Sequence, residues 1–270
     1  MSQRTPLINY LVLIGFSAAT VIPFLGLLLL ALQPAGGSIS TLSLSHLTLD
    51  NFARAWAIGR FDKGILSSVT VATAVVVISA LLSILTGYAF GTMSFLGDRA
   101  LFNVFLLGLI VPFEAAVLPL YYTLRSVGLT DTYWALILPQ AGSAMAFGTF
   151  WMRAAFKSFP FTLIEAARLD GATSFSVLWR VIVPNIRPAI FTLVILQFMW
   201  TWNEFLLALI MISNPDLQTV PLGLAAFVGQ HTTDLPGLAA ASLIVALPII
   251  ALFVIFQRQF IAGMLAGALR

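Results

Sequence analysis

The chain alternates long apolar runs with shorter polar segments. Six runs are long enough to cross a bilayer, which takes about 20 helical residues, and they lie at about residues 7–32, 64–91, 100–124, 133–152, 189–212 and 237–256. The first run carries no charge and exceeds the length of a secretory signal core, so we expect it to be retained as a helix. The pattern predicts an all-α integral membrane fold with six transmembrane helices in a single domain, residues 1–270.

Prolines fall inside several of these runs. A proline in a helix interior has no amide to donate and clashes with the preceding turn, so it bends or breaks the helix. We expect a kink at Pro23, breaks in the third span at Pro112 and Pro119, and bends at Pro139 and Pro248.

One polar segment, residues 153–188, separates the fourth and fifth runs and concentrates charge. Its charged residues are Arg153, Lys157, Glu165, Arg168, Asp170, Arg180 and Arg187. A membrane protein that places so many charges in one loop keeps that loop in water. We interpret the segment as a contact site for a partner.

The polar segment has the pattern of two short helices joined by a turn. Thr162 and Glu165 have capping-box spacing, which predicts a helix start. Gly171 predicts the helix end, because glycine adopts the left-handed conformation easily. The residues that bound the second helix are Thr173 or Ser174 at its start and Pro184 and Pro188 at its end. A loop that merely connects two spans is the alternative interpretation.

The composition supports a membrane location. The 270 residues are 60% hydrophobic and 9% charged, whereas soluble domains carry about 25% charge. There are no cysteines, which excludes disulfides and cysteine metal sites. The net charge of +3 is small and does not indicate a nucleic-acid partner.

The distribution of positive charge predicts the orientation. With six spans, both termini, the 92–99 turn and the polar segment share one side, and that side holds Arg4, Arg99, Arg153, Lys157, Arg168, Arg180, Arg187, Arg258 and Arg270. The opposite side holds Arg54, Arg60, Lys63 and Arg125. By the positive-inside rule, both termini and the polar segment are cytoplasmic.

The order of residues in the polar segment resembles a known motif. Glu165-Ala166-Ala167, then Gly171, then Val181 to Pro184 are similar to the EAA loop in membrane subunits of binding-protein-dependent ABC importers, which usually has Ile and Leu where Val181 and Val183 stand. The stretches 129–139, 202–205 and 260–267 resemble the carbohydrate-uptake branch, relatives of the smaller maltose permease subunit. The resemblance covers nearly the whole chain.

This resemblance implies a function and a set of partners. The chain would be the permease of an ATP-driven importer in the bacterial cytoplasmic (inner) membrane, moving a sugar or related solute by alternating access. The partners implied by the resemblance are a second permease subunit that is a paralogue of this chain, two ATPase subunits that bind ATP and Mg, and an extracytoplasmic solute-binding protein. The residues expected to contact the ATPase are Glu165, Ala166, Ala167, Asp170, Gly171 and Ser174.

The sequence contains no P-loop and no recognisable catalytic or metal-binding motif. A phosphate-binding P-loop needs a Gly-Lys pair, and neither Lys63 nor Lys157 follows a glycine. Both histidines, His46 and His231, fall in predicted outer loops, so neither is placed to activate a nucleophile or hold a metal at bilayer depth. We predict that the chain is not an enzyme, contains no metal site and binds no cofactor itself.

Carboxylates inside spans indicate a polar path. Insertion of an acidic residue at the centre of a span costs about 2.5–3.5 kcal/mol, so such residues usually line a cavity or pair with a partner. The candidates for lining a translocation pathway are Glu114, Gln197, Trp200, Asn203 and Glu204. Aromatic rings with carboxylates and amides suit sugars. Hydrogen bonding to a neighbouring span is the structural alternative for each.

Two other functions stay open. An importer for a non-sugar solute, such as glycerol-phosphate or an amino acid, would share the coupling loop. A secondary transporter driven by an ion gradient could use Glu114 and Glu204 as a proton relay, but it would need no site for an ATPase.

Overall fold

The computed structural model describes residues 7–34, 36, 46–229 and 233–268, which leaves Arg4, His231 and Arg270 outside the described residues. The α-helices are α1 (Leu7–Ala31), α2 (Asp50–Ile58), α3 (Phe61–Thr92), α4 (Asp98–Ile110), α5 (Phe113–Ser126), α6 (Tyr133–Lys157), α7 (Phe161–Leu169), α8 (Ser174–Ser176), α9 (Val183–Asn185), α10 (Arg187–Trp202), α11 (Leu206–Met211) and α12 (Leu235–Ala268). A π-helical turn, Val177–Ile182, joins α8 to α9, and a 3₁₀ helix, Val220–Phe227, precedes α12. The all-α prediction is confirmed.

Three helical segments are long and apolar enough to cross a bilayer alone: Asn9–Ala31, Phe61–Thr92 and Leu235–Arg258. Two bent pairs meet the same criterion when each pair is taken as one span, namely Asp98–Ile110 with Phe113–Ser126, and Ser174–Asn185 with Arg187–Trp202. Helix α6 has 25 residues but includes several polar ones and is not among these segments. Within the described part of the chain, length and composition therefore give three to five candidate spans.

The predicted third span is two helices rather than one. Helices α4 and α5 meet at 96°. Val111 between them has extended backbone, which residues before proline favour, and Pro112 has no amide with which to continue α4. Pro119, which was also expected to break the span, lies inside α5. Only the first of the two predicted breaks is present.

The predicted fifth span, residues 189–212, is interrupted. Helix α10 ends at Trp202, residues 203–205 leave the helix, and the short helix α11 follows. Glu204 therefore lies in a break between two helices and not in the middle of a continuous span. The apolar character of the run hides this break, because residues on both sides are hydrophobic.

The sixth span extends further than predicted. Helix α12 continues from Leu235 to Ala268, past the predicted end of the span at residue 256. Pro248 and, in α1, Pro23 lie inside their helices.

Helices α3 and α6 pack closely along their length. A Cβ at Gly87 would lie 2.5 Å from Met152 Cβ, and one at Gly148 would lie 2.7 Å from Ser83 Cβ. Small residues at such positions let two helix backbones approach. The hydroxyls of Thr86 and Thr149, 2.7 Å apart, add a hydrogen bond across the same contact. This closely packed pair lies at the centre of the fold.

Helix α12 anchors the ends of α1 and α2. Leu30 and Ala31 are buried in one apolar cluster with Ala240, whereas most of α1 is exposed. Arg54 of α2 forms an ion pair with Asp234, at 2.8 Å, just before α12 begins. The long exposed apolar surface of α1 is consistent with contact to lipid or to another membrane chain.

Candidate functional site

A cavity of about 440 Å³ lies where the two helix breaks approach α6. Its lining residues are Gly108, Leu109, Ile110, Val111, Pro112, Phe113, Glu114, Gln140, Ser143, Ala144, Phe147, Gln197, Trp200, Thr201 and Glu204. Four of the five pathway candidates therefore line one cavity, although they come from distant parts of the sequence. Residues beside both breaks contribute to the lining, Pro112 at the first and Glu204 at the second.

Both glutamates of the cavity lie at the start of a helix that follows a break. Glu114 is in the first turn of α5 and is exposed. Glu204 precedes α11, and its Oε1 accepts a hydrogen bond from the amide of Leu207 at 2.7 Å. The partial positive charge of a helix N-terminus stabilises a carboxylate, and the Glu204 bond also satisfies an amide that has no partner within its helix. These interactions offset part of the cost of placing acidic groups in a membrane protein.

Gln197 reaches the cavity wall but has a structural set of contacts. Its side chain is fully buried. Its Oε1 accepts from Ser79 Oγ at 2.9 Å, and its Nε2 donates to the carbonyl of Ala144 at 3.0 Å. The side-chain amide of Gln197 thus joins α10 to both α3 and α6. These bonds leave little of its hydrogen-bonding capacity for a solute.

The two tryptophans near the second break differ in their surroundings. Trp200 is 50% exposed, and the ring of Phe147 meets it edge-to-face with centroids 4.7 Å apart. Trp202 is 1% exposed and donates its Nε1 hydrogen to the carbonyl of Val245 at 3.0 Å. Trp200 therefore offers an aromatic surface to the cavity, whereas Trp202 belongs to the core.

The structure places Asn203 away from the other pathway candidates. Its Nδ2 donates to the carbonyl of Met199 at 2.8 Å, in the last turn of α10. Asn203 lines a second, more apolar cavity of about 560 Å³, with Phe205, Pro221, Leu224, Ala225, Val228, Leu238 and Val245. At the helix break, the adjacent residues Asn203 and Glu204 therefore line different cavities.

Sequence reasoning missed the polar face that α6 contributes. Gln140, Ser143 and Phe147 line the first cavity. They follow one another at spacings of three and four residues, which places them on one face of a helix. That spacing could have identified them, because polar residues on one face of an otherwise apolar span are a sign of a cavity.

The polar segment 153–188 contains the predicted helix–turn–helix. Helix α7 ends at Leu169, and Gly171 has a φ of +83°. The amide of Ala172 donates to the carbonyl of Ala167, and that of Gly171 to the carbonyl of Arg168, each at 3.0 Å. This pair of bonds is a Schellman motif, in which glycine is favoured because it adopts the left-handed conformation without a steric penalty. The turn thus has a specific geometry that Gly171 makes possible.

The predicted start is wrong for helix α7 and confirmed for helix α8. The capping box is wrong: α7 begins at Phe161 with Pro160 before it, and no side chain caps it. Thr173 does cap α8, since its hydroxyl accepts from the amide of Ser176 at 3.3 Å. Proline's fixed φ suits the entry to a helix and explains the earlier start of α7.

Pro184 does not end the second helix as predicted. The chain remains helical through Asn185, and the residues before the proline, Val177–Ile182, form a π-helical turn. The wider turn accommodates a residue that has no amide for the usual helical bond. The chain then bends by 81° into α10, in which Pro188 occupies a position that needs no donor.

Most of the predicted coupling residues are accessible. Glu165, Ala166, Asp170, Gly171 and Ser174 are exposed, while Ala167 is partly buried. Two apolar side chains flank the turn in the open, Leu169 at 89% and Phe175 at 71% exposure. Exposed apolar groups beside a specific turn are typical of a protein contact surface.

The opposite side of the coupling segment is attached to the helix bundle. Ile164, Val177 and Leu178 are buried in a cluster with residues from the ends of α3 and α6. The hydroxyl of Tyr88 donates to the carbonyl of Ser174 at 3.3 Å. A force applied to the turn would therefore reach α3 and α6 directly.

Arg153 fastens the beginning of the same segment. Its guanidinium lies over the ring of Phe102, 3.8 Å from the centroid, and its Nε donates to the carbonyl of Phe90 at 3.2 Å. A cation over an aromatic face is attracted by the ring's quadrupole. The end of α6 is thereby joined to α3 and α4.

Comparison with known proteins gives consistent matches. Over 100% of both chains, this protein is 33% identical to the arabinooligosaccharides transport system permease protein of Halalkalibacterium halodurans. It is 32% identical to the trehalose transport system permease protein of Mycobacterium tuberculosis, over 93% of this chain and 92% of that protein. Its fold matches a chain in the crystal structure of a bacterial ABC transporter involved in the import of the acidic polysaccharide alginate, with a TM-score of 0.78, 20% identity and coverage of 94% and 95%.

The family assignment follows from the extent of these matches. Residues 81–265 match the family of binding-protein-dependent transport system inner membrane components. That range includes α3 from residue 81 onward, all of α6, both helix breaks, the cavity and the coupling segment. The chain belongs to this family of membrane transport components.

Proposed function

We propose that this chain is the permease subunit of an ATP-driven importer and that it conducts a sugar or related solute. Relatives that are permeases for arabinooligosaccharides, diacetylchitobiose and trehalose support the class of solute. The cavity supports it chemically. Sugar rings stack their C–H faces on aromatic groups such as Trp200, and carboxylate and amide groups of the lining can bind hydroxyls.

The observation that carries the proposal is the accessible helix–turn–helix at Glu165–Ser174. It presents Leu169 and Phe175 to the outside, while its other side is buried against α3 and α6. An ATPase seated on this turn would transmit its closure to the helices beside the cavity. ATP and Mg belong to that partner, and this chain supplies the mechanical connection.

Three kinds of partner complete the proposed assembly. Two ATPase subunits bind on the cytoplasmic side, and a second permease, a copy or a paralogue, completes the pathway. A solute-binding protein docks on the outer side, which the family description supports. A solved structure of the bacterial alginate transporter in complex with its pentasaccharide-bound periplasmic protein has the same fold, with a TM-score of 0.69.

In this assembly the chain crosses the inner membrane six times, with both termini in the cytoplasm. The six crossings are α1, α3, the bent pair α4 and α5, α6, α10 with α11, and α12. Helix α6 qualifies as a crossing because its polar face lines a cavity and need not contact lipid. The positive residues of the 92–99 turn and the coupling segment favour the cytoplasm for that side.

The test is purification and reconstitution of the assembly. We expect a tag on this chain to recover an ATPase and a second permease, and vesicles containing the complex to take up a sugar only with its binding protein and ATP. An ion-gradient-driven carrier would instead take up solute with a proton gradient and without ATP. A complex that moves only a phosphate ester or an amino acid would contradict the sugar assignment but keep the ATP-driven mechanism.

A further inference from the structure

The two glutamates that line the first cavity make the charge of its lining negative. Glu114 begins α5 and Glu204 precedes α11, and both residues line the same space of about 440 Å³. A cleft that is lined by one sign of charge focuses the field and changes local ion concentrations by about tenfold or more. The Glu204 carboxylate is held in place by the Leu207 amide at 2.7 Å, and Glu114 lies in the first turn of α5.

The remaining lining groups have no formal charge. They include the amide of Gln140, the hydroxyls of Ser143 and Thr201, and the rings of Phe147 and Trp200. Such groups can exchange hydrogen bonds with sugar hydroxyls and contact the apolar faces of the ring. The neutral groups supply affinity for a saccharide, and the glutamates oppose any negative charge on it.

We infer that the cavity admits electrically neutral saccharides or polyols and excludes anionic ones such as uronates and sugar phosphates. This inference rests on the proposed function, since it assumes that the cavity conducts a saccharide. It separates this chain from an importer of glycerol-phosphate, which would have to move a phosphate group past Glu114 and Glu204.

The charge of the cavity can be measured at Trp200, which is half-exposed and lines the cavity. Fluorescence of the assembled complex is compared with that of the Trp200→Phe variant, and the difference isolates this residue from the other five tryptophans. The probes are iodide, caesium and neutral acrylamide, each referred to free N-acetyltryptophanamide in the same buffer. We expect caesium to be favoured over iodide by about tenfold.

A matched variant identifies the source of the charge. Glu114→Gln combined with Glu204→Gln removes both charges, and glutamine at position 204 keeps an oxygen that can accept from Leu207. We expect this double variant to lose the preference for caesium. Glu114→Gln alone should remove part of it and serves if the double variant does not assemble. Equal quenching by iodide and caesium in the natural chain, or a preference that survives both substitutions, overturns the inference.

The same signal reports the solute. A neutral disaccharide should change Trp200 fluorescence at concentrations about tenfold lower than its uronic acid counterpart, and the double variant should reduce that difference. An equal response to both overturns the inference. If neither sugar alters the signal and the complex takes up no saccharide, the proposed function fails, while the iodide and caesium ratio still decides the charge of the cavity.

Discussion

Substitution of Gly148 by alanine tests the α3–α6 contact most sharply. The new Cβ would lie 2.7 Å from Ser83 Cβ and 3.0 Å from Gln197 Nε2, inside any ordinary van der Waals contact. Overpacking of this kind costs about 1–3 kcal/mol, and the tight backbone contact places this site near the upper value. Alanine regains about 1 kcal/mol of helix propensity over glycine.

The net loss is therefore about 2 kcal/mol, which for a chain of this size lowers the midpoint of thermal unfolding by roughly 4–8 °C. The assay is intrinsic tryptophan fluorescence during heating of the purified chain in detergent. Gly142→Ala is the matched control, because it lies in the same helix and a Cβ there meets nothing within 4 Å. We expect that variant to be as stable as the natural chain or slightly more stable.

Ser83→Gly should rescue Gly148→Ala, since it removes the atoms that the new methyl group would meet. A double-mutant cycle then gives a favourable coupling between the two changes. Equal midpoints for Gly148→Ala and Gly142→Ala, or no rescue by Ser83→Gly, would refute the proposed packing. Ser83→Ala alone should cost little, because the buried Ser83 hydroxyl has no hydrogen-bond partner.

Three further substitutions test the coupling turn, the Asp131 hydrogen bonds and an exposed ion pair. Gly171→Leu should strain the turn by about 1 kcal/mol or more and reduce ATPase recovery with the purified chain; unchanged recovery would count against the coupling role. Asp131 has a φ of +61° and its Oδ1 accepts from the amides of Ser213 and Asn214, so Asp131→Ala should lower the unfolding midpoint by roughly 4 °C or more while Asp131→Asn largely preserves it; equal effects of the two substitutions would contradict the expectation that an asparagine oxygen can replace the carboxylate. Arg60→Ala breaks an exposed ion pair and should change stability by less than about 1 kcal/mol, and a larger loss in the same heating assay would contradict the view that this pair is weak.

Hydrophobic pattern predicted the existence of the long helices because burial in a bilayer is the dominant constraint on them. Their interruptions were harder to predict. Pro112 signals its break directly, whereas the break at residues 203–205 falls within an apolar run and contains a hydrogen bond from the Leu207 amide to the Glu204 side chain. Such a local bond between side chain and backbone leaves almost no trace in a hydropathy pattern.

The coupling segment shows where local rules succeed and where packing overrides them. Gly171 and Thr173 behave as their sequence context predicts, because each acts through its immediate backbone. Pro184 does not end its helix, since the preceding residues Val177, Leu178 and Ile182 are buried in a shared apolar cluster. Burial of these side chains keeps the segment helical, and a π-helical turn absorbs the missing bond.

The cavity could be predicted only in part. Charged or aromatic residues in apolar runs, such as Glu114, Trp200 and Glu204, can be identified as pathway candidates from the sequence alone. The polar face of α6 is hidden in the hydropathy averaged over the span, because the polar residues occupy only one side of an otherwise apolar helix. Which neighbouring residues point to which cavity depends on the rotation of the chain at the break, as Asn203 shows.

The central claim is that the turn around Gly171 seats an ATPase. The natural chain has no cysteine, so Leu169→Cys places a unique thiol on the most exposed apolar side chain of that turn. Leu96→Cys is the control, because Leu96 is fully exposed in the turn between α3 and α4 and lies outside the coupling segment.

The measurement is photocross-linking from each thiol in native membranes, followed by mass spectrometry of the adduct. We predict that position 169 captures a nucleotide-binding ATPase subunit, with a yield that changes when ATP is added, and that position 96 captures much less of it. Adducts at position 169 that contain only lipid, or that match those at position 96, would contradict the claim.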